Sequence, residues 1–137
     1  MDTKPLTDGV GWVADWLDAR RAKVAAVEMD GGSVGALATK LADRGFPKAA
    51  VSIAGTKDMA KAVSMLTNAV SEHQLAHYGQ EELTDSATKC AKRRIGSDGV
   101  GFADAEGADA TLIESCALAL KQALTTKRRP GRKMRVG

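Results

Sequence analysis

The chain is poor in aromatic residues, which make up 4% of its 137 residues. Its core must therefore be built mainly from Ala, Val, Leu, Ile and Met. The sequence shows no aromatic platform on which the bases of a single-stranded nucleic acid could stack. No apolar run approaches the length of a membrane span, and the N-terminus lacks the apolar core of a signal peptide, so we expect a soluble intracellular protein.

Cysteine and the familiar catalytic motifs are also scarce. Cys90 and Cys116 are far apart and lack metal-ligand spacing, and we interpret both as small, reduced, buried residues. His73 and His77 lie four residues apart, but their segment has the pattern of a helix end, which disfavours a zinc site. The sequence contains no Walker A motif and no G-x-G-x-x-G pattern, so P-loop chemistry is disfavoured.

Positive charge is concentrated near the C-terminal end. The formal net charge is +3, yet residues 127–137, KRRPGRKMRVG, contain basic side chains and no acidic one. The basic residues of this tail are Lys127, Arg128, Arg129, Arg132, Lys133 and Arg135. A smaller cluster comprises Lys92, Arg93 and Arg94. Because clustered cations neutralise phosphates, both groups predict contacts with a nucleic-acid backbone; a solvated tail and a solvated face are the alternatives.

The apolar periodicity predicts an α/β fold in which helices and strands alternate. Predicted helices cover residues 9–21, 34–45, 57–73, 80–93 and 109–126, predicted strands cover 24–29 and 49–54, and a hairpin is expected near 93–103. The first two strands, joined through a helix, are expected to run parallel. We therefore predict one domain over residues 1–126, followed by a flexible basic tail.

Local patterns also predict caps and a buried helix face. Ser33 and Thr56 are the expected N-caps of the helices that follow them. The last helix is expected to turn four residues inward: Leu112, Cys116, Ala119 and Leu120.

Asp30 and Asp109 are the candidate catalytic and metal-binding residues. Asp30 ends the apolar segment VAAVEMD and is followed by glycines, and Asp109 stands at the start of the last predicted helix. Each has a simpler explanation, because an acid after a strand or before a helix often serves as a turn or cap residue. Two carboxylates from remote positions, each at the end of a regular element, nevertheless suit a divalent ion such as Mg²⁺ or Mn²⁺. The glycines after Asp30 leave a third possibility, an anion held by the amides of the next helix.

Several segments, taken in order, resemble the C-terminal nuclease domain of the large terminase subunit of tailed bacteriophages. They are the apolar strand ending in Asp30-Gly31, then GALATKLADRGF, then KDMAKAVSMLTNAVSEHQLAHYGQEELTDSATKCAKRRIG, and finally DATLIESCALAL. The third segment contains the family-like pattern L-x-H-x-G-Q-x-x-L. The resemblance spans roughly residues 10–126 and depends on the order and spacing of the segments.

The resemblance implies a three-layer, ribonuclease H-like fold and the cleavage of concatemeric viral DNA with divalent metal ions. Asp30 matches the acid that ends the family's central strand, and Asp109 matches the acid that opens its final helix. The basic residues would then contact double-stranded DNA. Other packaging components are further expected partners, no membrane is involved, and the expected compartment is the cytoplasm of a bacterial host.

The sequence departs from the family in two respects. It contains neither the ATPase that precedes the nuclease domain nor the strand meander that carries the family's remaining acid, so the resemblance implies a C-terminal piece or prophage remnant. An open apolar edge on the strand at 24–29 would then favour self-association. Three functions are predicted: a metal-dependent endonuclease, an inactive terminase remnant that binds DNA or assembly partners, and an unrelated small α/β nucleotide-binding protein.

Overall fold

The computed structural model describes residues 8–31, 35–97 and 99–131, and it shows an α/β protein. The described residues form five α-helices, one short 3₁₀ helix and two sheets of two strands each, one parallel and one antiparallel. Their order is α1 (Gly11–Ala19), β1 (Val27–Asp30), α2 (Gly35–Asp43), the 3₁₀ helix (Lys48–Ala50), β2 (Val51–Ala54), α3 (Thr56–Ser71), α4 (Glu81–Lys89), β3 (Ala91–Ile95), β4 (Gly99–Ala103) and α5 (Ala110–Thr125). The predicted α/β class and the pairing of the first two strands are confirmed.

The chain divides into two compact units. One takes the residues up to Ile53 and those from Thr126 onward, and the other takes Ala54–Thr125. In the first unit, buried side chains of α1, β1 and α2 form one apolar cluster together with two residues that follow α2: Ala14, Leu17, Met29, Leu41, Phe46 and Ala50. Gly45, just beyond the end of α2, has a φ of +65°, a conformation that glycine adopts without steric cost.

The second unit is built around the packing of α3 against α5. Nine buried residues from four elements form its core: Ala54, Met59, Ala62, Val63, Leu66, Ile95, Ile113, Ala117 and Leu118. The inward face of α5 differs from the prediction. Ile113, Ala117 and Leu118 are buried, Cys116 and Leu120 only pack against the core, and Ala119 is exposed.

The hairpin begins earlier than predicted. The predicted helix at 80–93 ends at Lys89, because Cys90 has an extended backbone with φ −63° and ψ 143°, and β3 begins at Ala91. Strands β3 and β4 are antiparallel, with Arg93 opposite Gly101 and Ile95 opposite Gly99. Lys92, Arg93 and Arg94 therefore lie within the first strand of the hairpin. Asp98, which precedes β4 in the sequence, is outside the described residues.

The start of α3 also differs from the prediction. Gly55 occupies the N-cap position, and Thr56 is the first residue of the helix. The carboxylate of Asp58 accepts a hydrogen bond from Gly55 N at 3.2 Å, which satisfies the amide that precedes the helix. The predicted cap Ser33 lies outside the described residues. In the described ranges, no helix combines the length and the apolar character needed to cross a membrane.

Candidate nucleic-acid interface and acidic positions

Asp30 lies at the carboxyl end of β1 and is exposed. Its carboxylate accepts a hydrogen bond from the next amide, Gly31 N, at 2.7 Å. Gly31 lies in a turn, so the structure agrees with the simpler explanation of Asp30 as a turn residue. The position agrees with the general location of ligand sites in α/β proteins, at the carboxyl ends of parallel strands. The metal-binding and catalytic roles assigned to Asp30 stay predictions.

Asp109 caps α5. Its carboxylate accepts a hydrogen bond from Thr111 N at 2.7 Å, which satisfies one of the amides that a helix N-terminus leaves without an intrahelical partner. Hydrogen bonds from the side chain and the amide of Thr111 hold the pKa of the Asp109 carboxyl below its ordinary value, so it is ionised at neutral pH. A nearby acid, Asp104, accepts from Ala110 N at 2.8 Å and extends the same cap.

Ser86 completes the N-terminus of α5 from a neighbouring helix. Its hydroxyl donates to the carbonyl oxygen of Asp109 at 2.6 Å and accepts from Ile113 N at 3.1 Å, at a position that is 1% exposed. In an ordinary helix, Ile113 N would donate directly to Asp109 O and form the first hydrogen bond. Here the Ser86 hydroxyl is inserted between these two groups. Nothing in the sequence indicated this role, because a serine within a polar helix has no pattern of its own.

The two candidate acids belong to different units, Asp30 to the first and Asp109 to the second. Across the described ranges, no three His, Cys, Asp or Glu side chains form a group that could hold a metal ion. Carboxylate oxygens are the donors that Mg²⁺ and Mn²⁺ prefer, so the chemistry of each acid fits such an ion.

The predicted basic cluster is exposed along β3. Lys92, Arg93 and Arg94 are all exposed, and alternation along the strand places Arg93 on the opposite face from the other two. Arg93 is held in place: its Nε donates to Phe102 O at 2.7 Å, and its guanidinium lies 3.9 Å from Glu114 Oε1. Lys92 and Arg94 therefore present the less constrained charges of the hairpin.

The basic residues in the described part of the tail differ in exposure. Arg128 is partly buried, and its Nη1 donates to Ala25 O at 2.6 Å, so this residue attaches the tail to the first unit. Lys127 and Arg129 are exposed. The predicted DNA contacts of Arg132, Lys133 and Arg135 fall outside the described residues.

The second unit also contains a groove between α3 and the hairpin, with a volume of about 540 Å³. Lys57 and Lys61 on α3 and Lys92 on β3 contribute its positive charge. The two helical lysines were not predicted as site residues. Their four-residue spacing was visible in the sequence, but nothing there indicated that a hairpin would lie beside them.

The two cysteines are free and partly buried rather than fully buried. Burial raises the pKa of the Cys116 thiol, which disfavours the reactive thiolate. Cys90 Sγ lies 3.8 Å from Ser86 Oγ and 3.7 Å from Ala108 O. Both positions suit a structural role.

No protein-family model, no curated protein and no solved structure matches the chain. The terminase resemblance thus stays a prediction from the sequence.

Proposed function

We propose that this chain is a DNA-binding module of the terminase nuclease type, which holds the phosphate backbone of double-stranded DNA without reading its sequence. The observation that carries the proposal is the β3–β4 hairpin, whose first strand exposes three consecutive basic side chains. Lysine and arginine on an exposed strand can reach phosphate oxygens, and such contacts position a protein on DNA without carrying sequence information.

Two further features support this proposal. The Arg93 guanidinium is braced by Phe102 O and Glu114, so the hairpin presents its charges on a constrained strand. The exposed Lys127 and Arg129 add positive charge to the first unit. A solvated basic face would have the same composition but would not bind duplex DNA.

Replacing Lys92 and Arg94 together by glutamine is expected to weaken duplex binding and its dependence on salt. Each phosphate contact that is lost should reduce the slope of log affinity against log salt by about 0.9. Fluorescence anisotropy of a labelled duplex of arbitrary sequence, measured across a salt series, gives both quantities.

The matched control for this test is Lys40→Gln/Lys48→Gln, which removes two exposed lysines from the first unit. The control should bind almost as the wild type does. If the wild-type chain binds no duplex at low salt, or if the hairpin variant behaves as the control does, the proposed role of the hairpin is wrong.

Metal-dependent cleavage of DNA is the second candidate function, favoured by the position of Asp30. An exposed carboxylate at the carboxyl end of a strand in a parallel pair lies where α/β proteins bind their ligands. On this proposal the fold is the ribonuclease H-like one, Asp30 and Asp109 bind Mg²⁺ or Mn²⁺, and the chain acts in the host cytoplasm together with packaging components. Such an ion would supply Lewis-acid stabilisation of the phosphoryl group and an activated water.

The cleavage proposal predicts that the chain nicks supercoiled plasmid in the presence of Mn²⁺ and that Asp30→Asn abolishes nicking. Asp43→Asn, an exposed acid at the end of α2, is the matched control and should nick at the wild-type rate. Agarose gels of timed reactions, with EDTA added in one arm, provide the readout. If the wild-type chain binds duplex but does not nick the plasmid, the binding proposal stands and the cleavage proposal is wrong.

A further inference from the structure

We propose that the groove between α3 and the β3–β4 hairpin is a phosphodiester-binding site that follows one strand of a DNA duplex. This inference rests on the proposed DNA-binding function and adds a specific site to it. The site residues are Lys57, Lys61, Ser64 and Asn68 on α3 and Lys92 on β3, all of which line the groove.

The polar residues of α3 that line the groove are regularly spaced along the helix. Lys57, Lys61, Ser64 and Asn68 are separated by four, three and four residues, so they form one stripe along the helix. The buried stripe of the same helix, which includes Met59, faces the core instead. With a rise of 1.5 Å per residue, the polar stripe extends over about 16 Å, and the two lysines are about 6 Å apart along the axis. That separation suits consecutive phosphates of one strand.

The walls of the groove carry positive charge and hydrogen-bond donors. Among the described residues that line the groove, the charged side chains are all lysines, and Ser64 and Asn68 add a hydroxyl and an amide that can donate hydrogen bonds. A phosphodiester has one negative charge and acceptor oxygens, so the walls complement it. Residues 54–125 as a whole contain more acidic than basic residues, so this positive lining differs from the overall charge of its unit.

Two glycines of the hairpin allow the close packing that forms the groove. Gly99 brings the hairpin close to α3, since a Cβ at this position would lie 3.1 Å from Ala60 Cβ. Gly101 permits the same close packing within the hairpin, because its Cβ would lie 2.5 Å from Ile95 Cδ1. The lack of a side chain at Gly99 lets the hairpin lie close to α3, and Lys92 lines the same groove as Lys57 and Lys61.

The lining also favours a duplex over a single strand. Single-stranded nucleic acids are generally held by aromatic side chains on which bases stack, and the described lining residues include none. Contacts from lysine, serine and asparagine instead suit a backbone whose bases remain paired.

The test is duplex binding by Lys57→Gln/Lys61→Gln, which leaves the hairpin cations unchanged. Binding at 0.1 M salt should weaken on the order of tenfold, and the salt slope should fall by about 1.8, because two phosphate contacts are lost. Lys40→Gln/Lys48→Gln removes the same charge elsewhere and should keep most of the affinity. Lys57→Arg/Lys61→Arg should retain binding, since the charge and the ability to donate are kept.

Amide shifts on adding the duplex provide a second readout and should be largest at 57–68 and 99–100. Thermal unfolding followed by circular dichroism confirms that the variants remain folded. If the wild type binds duplex but the α3 variant matches its control in affinity and slope, the groove assignment is wrong while the proposed function survives. If the wild type binds no duplex, both are wrong. Tighter binding of a single-stranded oligonucleotide through the groove would overturn the choice of occupant.

Discussion

Ser86→Ala is expected to lower the free energy of unfolding by about 2 kcal/mol, because a buried hydroxyl serves two backbone groups at the N-terminus of α5. The hydroxyl donates to Asp109 O and accepts from Ile113 N at a site that is 1% exposed. In α1, α3 and α4 the corresponding amide binds the cap carbonyl directly, at 3.0 to 3.2 Å. Alanine removes the inserted hydroxyl. The turn can then close partly, so that Ile113 N donates directly to Asp109 O, and this limits the loss of stability.

Thr88→Ala is the matched control for the Ser86 prediction. Thr88 lies on the same helix, is exposed, and donates to the carbonyl of Thr84 one turn earlier. Its replacement should change the free energy of unfolding by no more than about 0.5 kcal/mol. Urea unfolding at neutral pH measures both variants, and hydrogen exchange of the Ile113 amide reports the local effect. Equal stabilities of the two variants would show that Ser86 contributes no more than a surface residue.

The helices were the most predictable part of the fold. Repeating apolar residues in α1, α3 and α5 and the glycine that ends α2 gave their approximate positions, because burial and backbone geometry leave direct traces in the sequence. The boundary between α4 and β3 was misplaced, since Ala91, Lys92 and Arg93 are good helix formers and tertiary pairing with β4 overrides that preference.

The candidate site was predictable only as separate residues. The basic residues of β3 and the cap position of Asp109 could be located from sequence, because charge runs and helix starts are local features. Ser86 could not, since its role depends on contact between α4 and the N-terminus of α5. The stripe that begins with Lys57 and Lys61 has a clear period, but it lines a groove only because Gly99 lets the hairpin approach α3.

A second long-range pair, Lys121 with Asp58, is expected to contribute about 1–2 kcal/mol to the free energy of unfolding. Lys121 Nζ lies 2.7 Å from Asp58 Oδ1, and the lysine side chain is 8% exposed whereas the aspartate is 46% exposed. The pair joins α3 to α5, the two helices that form the centre of the second unit. Because Asp58 is exposed, water screens the interaction. The expected contribution to stability is therefore at the lower end of the range for hydrogen bonds to charged groups.

The pair on α4 offers a control of equal length. Lys89 Nζ lies 2.7 Å from Asp85 Oδ2, but both side chains are more than 40% exposed. Exposed pairs at this spacing usually contribute about 0.3–0.5 kcal/mol. Asp58→Asn should therefore destabilise the chain more than Asp85→Asn does, because only Asp58→Asn deprives a buried ammonium group of a carboxylate.

The pH dependence gives an independent test of the Asp58–Lys121 pair. The hydrogen bond from Lys121, followed by the one from Gly55 N, holds the pKa of the Asp58 carboxyl below its ordinary value of 3.8. The unfolded chain thus binds this proton more readily than the folded chain, so the stabilisation is present above pH 3.8 and is lost as the pH falls through the lowered pKa. Urea unfolding at pH 7 and at successive values below 4 should show the wild type losing its advantage over Asp58→Asn. A difference that stays constant across this range would mean that the ion pair does not supply it.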